Sequence, residues 1–320
     1  MLELEVIGAS IKRVMALAGI LVICLIGVDC TGGTPTGPSG SPSPSPVPPT
    51  SPTSPTPSPP AQSQVFVGAG DIAVCGSAGA AATARLLDFI GGTVFTTGDN
   101  TYFEGTAQQF RDCYDPTWGR QKSRTRPAPG NHEYYLSPVA APYFEYFGSA
   151  AGPPGLGYYS FDVGAWHAIS LNSNIAVGQG SAQGQWLRVD LALNQAKCSI
   201  AYWHHPLFTS GPNGDNPEMR EFWRMLYAAG VDVIVNGHDH IYERFARQDP
   251  DGFPDPARGI RQFIVGTGGA PLYDFVRVRA NSEVRVKAFG VLKLTLEADS
   301  YEWEFIPVSG GGDFGTGSCH

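Results

Sequence analysis

The chain of 320 residues carries a formal net charge of −8 and contains 42% hydrophobic and 16% charged residues. This composition provides enough apolar side chains for one sizeable globular core. The acidic balance argues against a dedicated nucleic-acid-binding protein, which needs a basic surface, so we expect no nucleic-acid partner.

The first thirty residues have the pattern of an export signal. Two basic residues precede an uninterrupted apolar run from Val14 to Val28, which is shorter than the roughly 20 residues that span a bilayer. We therefore predict a signal peptide or lipoprotein signal at residues 1–30, and a secreted or cell-surface location. Cys30 follows the apolar run, as a lipid-modified cysteine does, but Asp29 is unlike the small residue usual before it. Lipidation at Cys30 therefore stays open.

Residues 31–64 are dominated by Pro, Ser, Thr and Gly and include no charged residue. Such a segment cannot form a core, so we predict a disordered linker. Its Ser-Pro and Thr-Pro steps favour an extended spacer that would tether the following domain to a membrane or cell wall. The alternative is a disordered leader without a role.

Four of the six cysteines lie beyond the predicted leader: Cys75, Cys113, Cys198 and Cys319. An even number in an exported protein predicts two disulfides, and four cysteines allow three pairings. Of these we expect Cys75 with Cys113 and Cys198 with Cys319, the latter docking the Gly-rich C-terminal segment.

Beyond residue 64, short apolar runs alternate with amphipathic stretches, which is typical of alternating strands and helices. The predicted strands are Val65–Ala69, Thr93–Thr96, Ser199–Trp203, Val231–Val235, Gln262–Val265, Val291–Leu296 and Tyr301–Ile306. The predicted helices are Ala78–Ile90, Gln183–Asn194 and Glu218–Ala229. Because helices become fewer towards the C-terminus, we expect mixed sheets. Residues 65–320 show no internal repeat and no second linker, so we predict one catalytic domain.

Polar residues follow several of these strands at the point where each one ends: Asp71, Asp99, His204 and His238. Asn131 likewise follows the short segment Arg126–Pro129. Ligands gather beyond the carboxyl ends of strands in open α/β sheets. Glycines beside them are expected to let the backbone turn tightly behind each residue: Gly70, Gly98, Gly130 and Gly237. Carboxylate, imidazole and amide groups suit Zn, Fe or Mn. Two ions sharing a carboxylate would polarise a phosphoryl group and generate hydroxide at neutral pH.

Five short motifs resemble, in order, those of the calcineurin-like metallophosphoesterases: Gly70-Asp71, Gly98–Tyr102, Gly130–Glu133, His204–Pro206 and Gly237–His240. The resemblance covers most of residues 65–270. It implies an α/β (α+β) fold, a four-layer αββα sandwich of two mixed β-sheets flanked by helices. It also implies hydrolysis of phosphate monoesters of small molecules by in-line attack of a metal-bound hydroxide.

Tyr102 narrows the resemblance to the purple acid phosphatase branch, and the run Gly-Asp-Asn-Thr-Tyr-Phe-Glu-Gly is similar to its small tartrate-resistant type. That branch implies an Fe(III) ion on Asp71, Asp99, Tyr102 and His240. It implies a divalent Fe, Zn or Mn ion on Asp99, Asn131, His204 and His238, with Asp99 bridging. A tyrosinate on Fe(III) would colour the protein purple. The alternative for Tyr102 is a buried structural tyrosine.

The resemblance places His132 near the substrate, as phosphate binder or proton donor to the leaving oxygen, with Asn131 as a further substrate contact. The chain departs from many relatives at Ala73, which offers no ligand, and at residues 209–213, which lack the additional histidines of plant-type enzymes. His205 or Asn213 is expected to substitute as an outer substrate contact.

Several other polar and aromatic residues are expected to have structural roles. These are His167, Glu133 and an aromatic cluster predicted to pack in the core or its loops: Tyr134, Tyr135, Tyr143, Phe144, Tyr146 and Phe147. The alternative for the aromatic cluster is that it lines a substrate cleft. The function predicted from the whole pattern is an extracytoplasmic acid phosphatase-like enzyme. The alternatives are a phosphodiesterase or nucleotidase on the same metal centre, and a tethered binding module without turnover.

Overall fold

The computed structural model describes residues 62–320. The signal predicted at residues 1–30 and the linker predicted at residues 31–64 lie outside this range, except for the last three linker positions. Gln64 already belongs to the first strand, which therefore begins one residue earlier than predicted. Within the described part, no helix has both the length and the apolar character needed to cross a membrane.

The described residues form thirteen β-strands: β1 Gln64–Ala69, β2 Thr93–Thr97, β3 Thr125–Ala128, β4 Tyr159–Val163, β5 Trp166–Ser170, β6 Cys198–Trp203, β7 Val233–Asn236, β8 Tyr242–Phe245, β9 Arg261–Val265, β10 Ser282–Val286, β11 Gly290–Leu296, β12 Ser300–Pro307 and β13 Asp313–Ser318. The α-helices are α1 Ala78–Phe89, α2 Ala107–Gln109, α3 Asn131–Tyr134, α4 Ala141–Phe147, α5 Ala182–Leu193 and α6 Arg220–Ala228. A π-helical turn covers Phe110–Tyr114, and 3₁₀ turns cover Trp118–Arg124, Gly148–Ala151 and Pro217–Met219. Every predicted strand and helix is confirmed to within two residues.

Both sheets are mixed, as predicted. The six-stranded sheet has the order β13-β12-β11-β1-β2-β3, in which β1, β2 and β3 run parallel and the other neighbours are antiparallel. The seven-stranded sheet has the order β10-β8-β9-β7-β6-β5-β4, with β5, β6, β7 and β9 parallel. The parallel strands thus occupy the interior of the second sheet, where both faces are covered.

The two sheets pack face to face around buried aromatic rings. Phe66 of β1 lies 5.7 Å from Tyr202 of β6, measured between ring centroids. Helix α1 packs on the first sheet through Leu87 and neighbouring alanines. On the far side of the second sheet, Trp203 meets Phe222 of α6 at 5.6 Å. The arrangement confirms the four-layer αββα sandwich, because a helical layer covers the outer face of each sheet.

Both expected disulfides are confirmed. Cys75 is bonded to Cys113, and Cys198 to Cys319, which fastens the C-terminal strand to the start of β6. The carboxylate of Asp232 lies near the second pair. Because a disulfide sulfur is not a thiolate, this cluster does not make a metal site.

Candidate metal centre

The loops that follow β1, β2 and β7 bring four of the predicted residues together. The Tyr102 hydroxyl oxygen lies 2.8 Å from Asp71 Oδ1, 3.0 Å from Asp99 Oδ2 and 3.1 Å from His240 Nε2. All four side chains are buried. They form a compact donor set of two carboxylates, one phenol oxygen and one imidazole.

A second donor set adjoins the first and shares Asp99 with it. His204 Nε2 lies 3.2 Å from Asp99 Oδ2, 3.0 Å from Asn131 Oδ1 and 3.2 Å from His238 Nδ1. The seven residues singled out as metal ligands therefore converge in one place. Asp99 lies between the two sets, where a bridging ligand would have to be.

Backbone carbonyl groups orient two of the histidines. His204 Nδ1 donates to Thr97 O at 2.8 Å, and His240 Nδ1 donates to Pro271 O at 2.7 Å. A carbonyl oxygen can only accept, so Nδ1 carries the proton in both rings. In the neutral form of each ring, Nε2 then carries the lone pair and points into the donor sets, which is the usual arrangement of metal-binding histidines.

Three of the converging residues adopt a left-handed backbone conformation that is rare for non-glycine residues: φ is 57° at Asp71, 49° at Asp99 and 72° at His238. Of the four flanking glycines expected to supply the tight turns, only Gly98 has a positive φ; at Asp71 and His238 the candidate ligand itself adopts the left-handed conformation. Gly98 has a φ of 89°, whereas Gly237 is required for space, since a Cβ there would lie 2.6 Å from Asp71 Oδ2. Backbone strain of this kind concentrates at functional sites.

The two buried carboxylates have imidazoles rather than lysine or arginine as neighbours. Burial is the largest effect and favours the neutral acid. It is outweighed at Asp71 by the charges of His240 and His204 together with a hydrogen bond from His240. At Asp99 it is outweighed by the charges of His204 and His132 and by hydrogen bonds from both. The pKa of each carboxyl therefore lies below its ordinary value. Within residues 62–320, neither carboxylate forms an ion pair with Lys or Arg. The site is therefore anionic when the imidazoles are neutral, which suits cations.

His132 lies beside the donor sets, in the first turn of α3. Its backbone N–H donates to Asp99 Oδ1 at 2.9 Å, and its Nδ1 donates to the carbonyl oxygen of Phe103. The side chain is 25% exposed, and Nε2 lies 3.8 Å from Asp99 Oδ2. His132 can therefore reach a molecule bound in front of the donor sets.

Glu133 organises the backbone around these residues. Its carboxylate accepts N–H groups from Gly130 at 2.6 Å, Asn100 at 2.7 Å and Asp99 at 3.1 Å. Burial and the charge of Asp99 raise the pKa of Glu133 to about 7. These contacts agree with the structural role expected for this residue, which joins the loops after β2 and β3.

His205 and Asn213, the two residues expected as outer substrate contacts, differ in whether their side chains are free to contact a substrate. The ring of His205 lies 4.4 Å from that of His238, and Ser173 Oγ is 2.8 Å from its Nδ1. Burial lowers the pKa of His205, so the imidazole is neutral. Asn213 instead donates its side-chain N–H to the carbonyl oxygen of His238 at 2.9 Å. Its amide therefore holds the loop, and His205 is the better placed of the two.

The aromatic cluster is mostly internal, as expected, with one exception. Tyr143 and Phe147 are buried in the main core, but Tyr135 is 70% exposed, so the prediction of core or loop packing is wrong for this residue. Tyr135 follows the single turn of α3 and points outwards. His167 has the expected structural role, since its Nε2 lies 2.8 Å from Asp190 Oδ2, away from the centre.

Tyr273 belongs to none of the five motifs, yet it contacts a candidate ligand. Its ring stacks on that of His240, with centroids 4.0 Å apart and planes inclined by 10°. It follows β9 in a loop that also supplies Pro271 O to the same histidine. No local sequence signal marks this contact, because the two residues are far apart in the chain.

Residues 65–242 match the family model of the calcineurin-like phosphoesterases. The chain belongs to the calcineurin-like phosphoesterase family. The matched segment is more than half of the chain and contains all the candidate metal ligands, so the resemblance of the five motifs is confirmed.

Within this family the chain is similar to plant purple acid phosphatases. Purple acid phosphatase 18 of Arabidopsis thaliana is 34% identical over 154 residues, which cover 44% of this chain and 35% of that protein. Purple acid phosphatase 17 of the same plant is 28% identical over 200 residues, covering 51% of this chain and 55% of that protein. The chain spans between a third and about half of the length of these curated relatives.

Solved structures share the fold. The purple acid phosphatase PPD1 from yellow lupin (Lupinus luteus) superposes with a TM-score of 0.69 at 21% identity, covering 81% of this chain and 54% of that one. A dimetal phosphatase from Danio rerio superposes with a TM-score of 0.54 at 14% identity, covering 82% of this chain and all of that one. At these identities the likeness concerns the fold alone.

Proposed function

We propose that residues 65–320 form a phosphatase that depends on two metal ions and hydrolyses phosphate monoesters of small molecules. One observation carries this proposal. Asp99 Oδ2 lies 3.0 Å from the Tyr102 hydroxyl oxygen and 3.2 Å from His204 Nε2, so a single carboxylate joins the two donor sets. Similarity to purple acid phosphatases supports it.

The chemistry of the donor sets fits two different ions. Asp71, Asp99, Tyr102 and His240 offer mainly hard oxygen donors, which suit Fe(III). The set of Asp99, Asn131, His204 and His238 offers two imidazoles with oxygen donors, which suit a divalent Fe, Zn or Mn ion. Bound ions would supply charge that polarises a phosphoryl group and lowers the pKa of water.

His132 would assist departure of the alcohol. Since Nδ1 donates to the carbonyl oxygen of Phe103, Nε2 is the atom that can hold a proton at the leaving oxygen. Such assistance is worth about two to four powers of ten in rate. Asn131 and the neutral His205 would contact the phosphate, while Glu133 keeps the loop of Asn131 and His132 in position.

We infer that the enzyme acts outside the cytoplasm, either secreted or held at the cell surface by the N-terminal segment. Two disulfides in the described part are typical of proteins that fold in an oxidising compartment. The apolar run before Cys30 and the Pro-rich linker support the same inference.

The test combines metal analysis with a panel of monoester, diester and nucleotide substrates. Asp99→Asn is expected to lose bound metal and more than about 100-fold of the activity, because outer contacts alone are worth 10- to 100-fold. Asp299→Asn, at a carboxylate with 67% side-chain exposure, is the matched control and should change neither. Activity that survives both Asp99→Asn and His132→Ala would show that the centre is assigned wrongly. Diester turnover with little monoester turnover would overturn the substrate class.

A further inference from the structure

Apolar side chains are exposed around His132. Phe103 is 55% exposed and Tyr135 70%, and two apolar residues that follow in the chain, Leu136 and Val139, are 64% and 65% exposed. Single exposed apolar residues need no explanation, but several beside a polar cleft are typical of a binding surface. The exposed rings of Phe103 and Tyr135 are called the aromatic rim below.

The aromatic rim borders the imidazole of His132 on two sides. Both rim rings lie 6.3 Å from it between centroids; the Tyr135 plane is inclined by 20° and the Phe103 plane by 63°. The loop that carries Phe103 is held in place by close backbone packing. Gly105 has a φ of 61°, and a Cβ there would lie 2.7 Å from the Cα of Glu133, so the loop of Phe103 packs directly on the segment of His132.

The position of the rim determines what it can contact. In the proposed function the phosphate lies over the donor sets and His132 faces the leaving oxygen. The group attached to that oxygen must then extend away from the buried carboxylates and past His132. There it meets the two exposed rings, which attract flat apolar groups by stacking and edge contacts.

We propose that the aromatic rim is a binding subsite for the leaving group, and that it selects phosphate monoesters of aromatic alcohols over those of small polar alcohols. This inference rests on the proposed function. It assigns a specificity role to Phe103 and Tyr135, while the reacting atoms remain with the donor sets and His132.

The experiment compares phenyl phosphate with glycerol 2-phosphate on the metal-loaded enzyme. One aromatic contact of about 1 kcal/mol corresponds to roughly fivefold. Phe103→Ala and Tyr135→Ala should each lower the ratio of kcat/KM for phenyl phosphate to kcat/KM for glycerol 2-phosphate about fivefold, mainly through the KM of phenyl phosphate. Tyr135→Phe should retain the preference. Phe253→Ala removes a ring that is 68% exposed elsewhere and should have no effect.

Calorimetry with phenylphosphonate and ethylphosphonate, which are not hydrolysed, tests the subsite independently of turnover. If phenylphosphonate binds wild type more tightly than ethylphosphonate does, and both alanine variants lose this difference, the result supports the subsite. If the wild type binds phenylphosphonate more tightly than ethylphosphonate but hydrolyses no phosphate monoester, the proposed function is contradicted and the binding subsite is not. Equal losses for both esters would mean that the rim only positions His132, and would overturn the proposal. So would unchanged ester selectivity in both alanine variants.

Discussion

Replacing Tyr102 with Phe removes one oxygen atom from the centre and little else, because the side chain is only 3% exposed and the ring is retained. That oxygen is 2.8 Å from Asp71 Oδ1 and 3.0 Å from Asp99 Oδ2. Burial and these two charges raise the pKa of Tyr102, so the phenol is protonated in the metal-free protein. Its single proton makes one charge-assisted hydrogen bond at a time, worth about 1.5 to 3 kcal/mol.

We therefore expect Tyr102→Phe to lower the unfolding free energy of chelator-treated protein by about 1.5 to 3 kcal/mol. In metal-loaded protein the visible band of a tyrosinate on Fe(III) should disappear. Denaturant titration and absorption spectra with elemental analysis measure the two effects. Tyr143→Phe is the matched control, since this buried hydroxyl donates to Pro127 O at 3.0 Å and should cost about 1 kcal/mol without changing the colour. A Tyr102→Phe protein that keeps both iron and the band would refute the assignment.

Three further predictions concern the scaffold and the residues around the centre. Replacing Cys198 and Cys319 with Ser should cost about 4 to 5 kcal/mol of unfolding free energy, since the bond spans 121 residues; an unchanged urea midpoint would contradict this. Burial lowers the pKa of His167, but the hydrogen bonds to Asp190 and Asp162 and the charges of these two residues together outweigh burial and raise it overall. The stabilisation from protonated His167 should be complete below the ordinary pKa of about 6.5 and be lost as pH rises through the higher pKa of the folded protein. The difference in unfolding free energy between wild type and His167→Gln, measured by denaturation, should therefore shrink as the solution becomes alkaline. Tyr273→Leu should speed metal release to a chelator about two- to tenfold, whereas Tyr273→Phe, which keeps the stacked ring, should match wild type.

The strands that the sequence predicts correctly have either a continuous buried run or, as in β12, a regular alternation of buried and exposed residues. β6 and β7 are buried at every position, so their apolar runs are continuous and easily recognised. β10 and β13 lie at the edges of the two sheets and alternate partly buried with exposed residues. β13 also contains two glycines, which weaken its strand signal. Its place in the sheet comes from pairing with β12 and from the disulfide at Cys319, neither of which is a local property.

The candidate ligands were predictable because each occupies a short motif at the end of a strand. Tyr273 was not, since it reaches His240 across a loop and belongs to none of the five motifs. The exposure of Tyr135 was also not predictable from the neighbouring aromatic residues. It depends on α3 being only one turn long, which a sequence pattern dominated by aromatic side chains does not reveal.

The left-handed conformations of Asp71, Asp99 and His238 each cost roughly 1 to 3 kcal/mol, and they persist only if surrounding contacts hold them. Those contacts are hydrogen bonds between different loops. The N–H of His238 donates to Asp71 Oδ2 at 2.8 Å, and that of Asp99 donates to Glu133 Oε2 at 3.1 Å. Each strained residue is thus held by a loop other than its own. Hydrogen bonds between the loops therefore offset part of the strain at the positions that carry the candidate ligands.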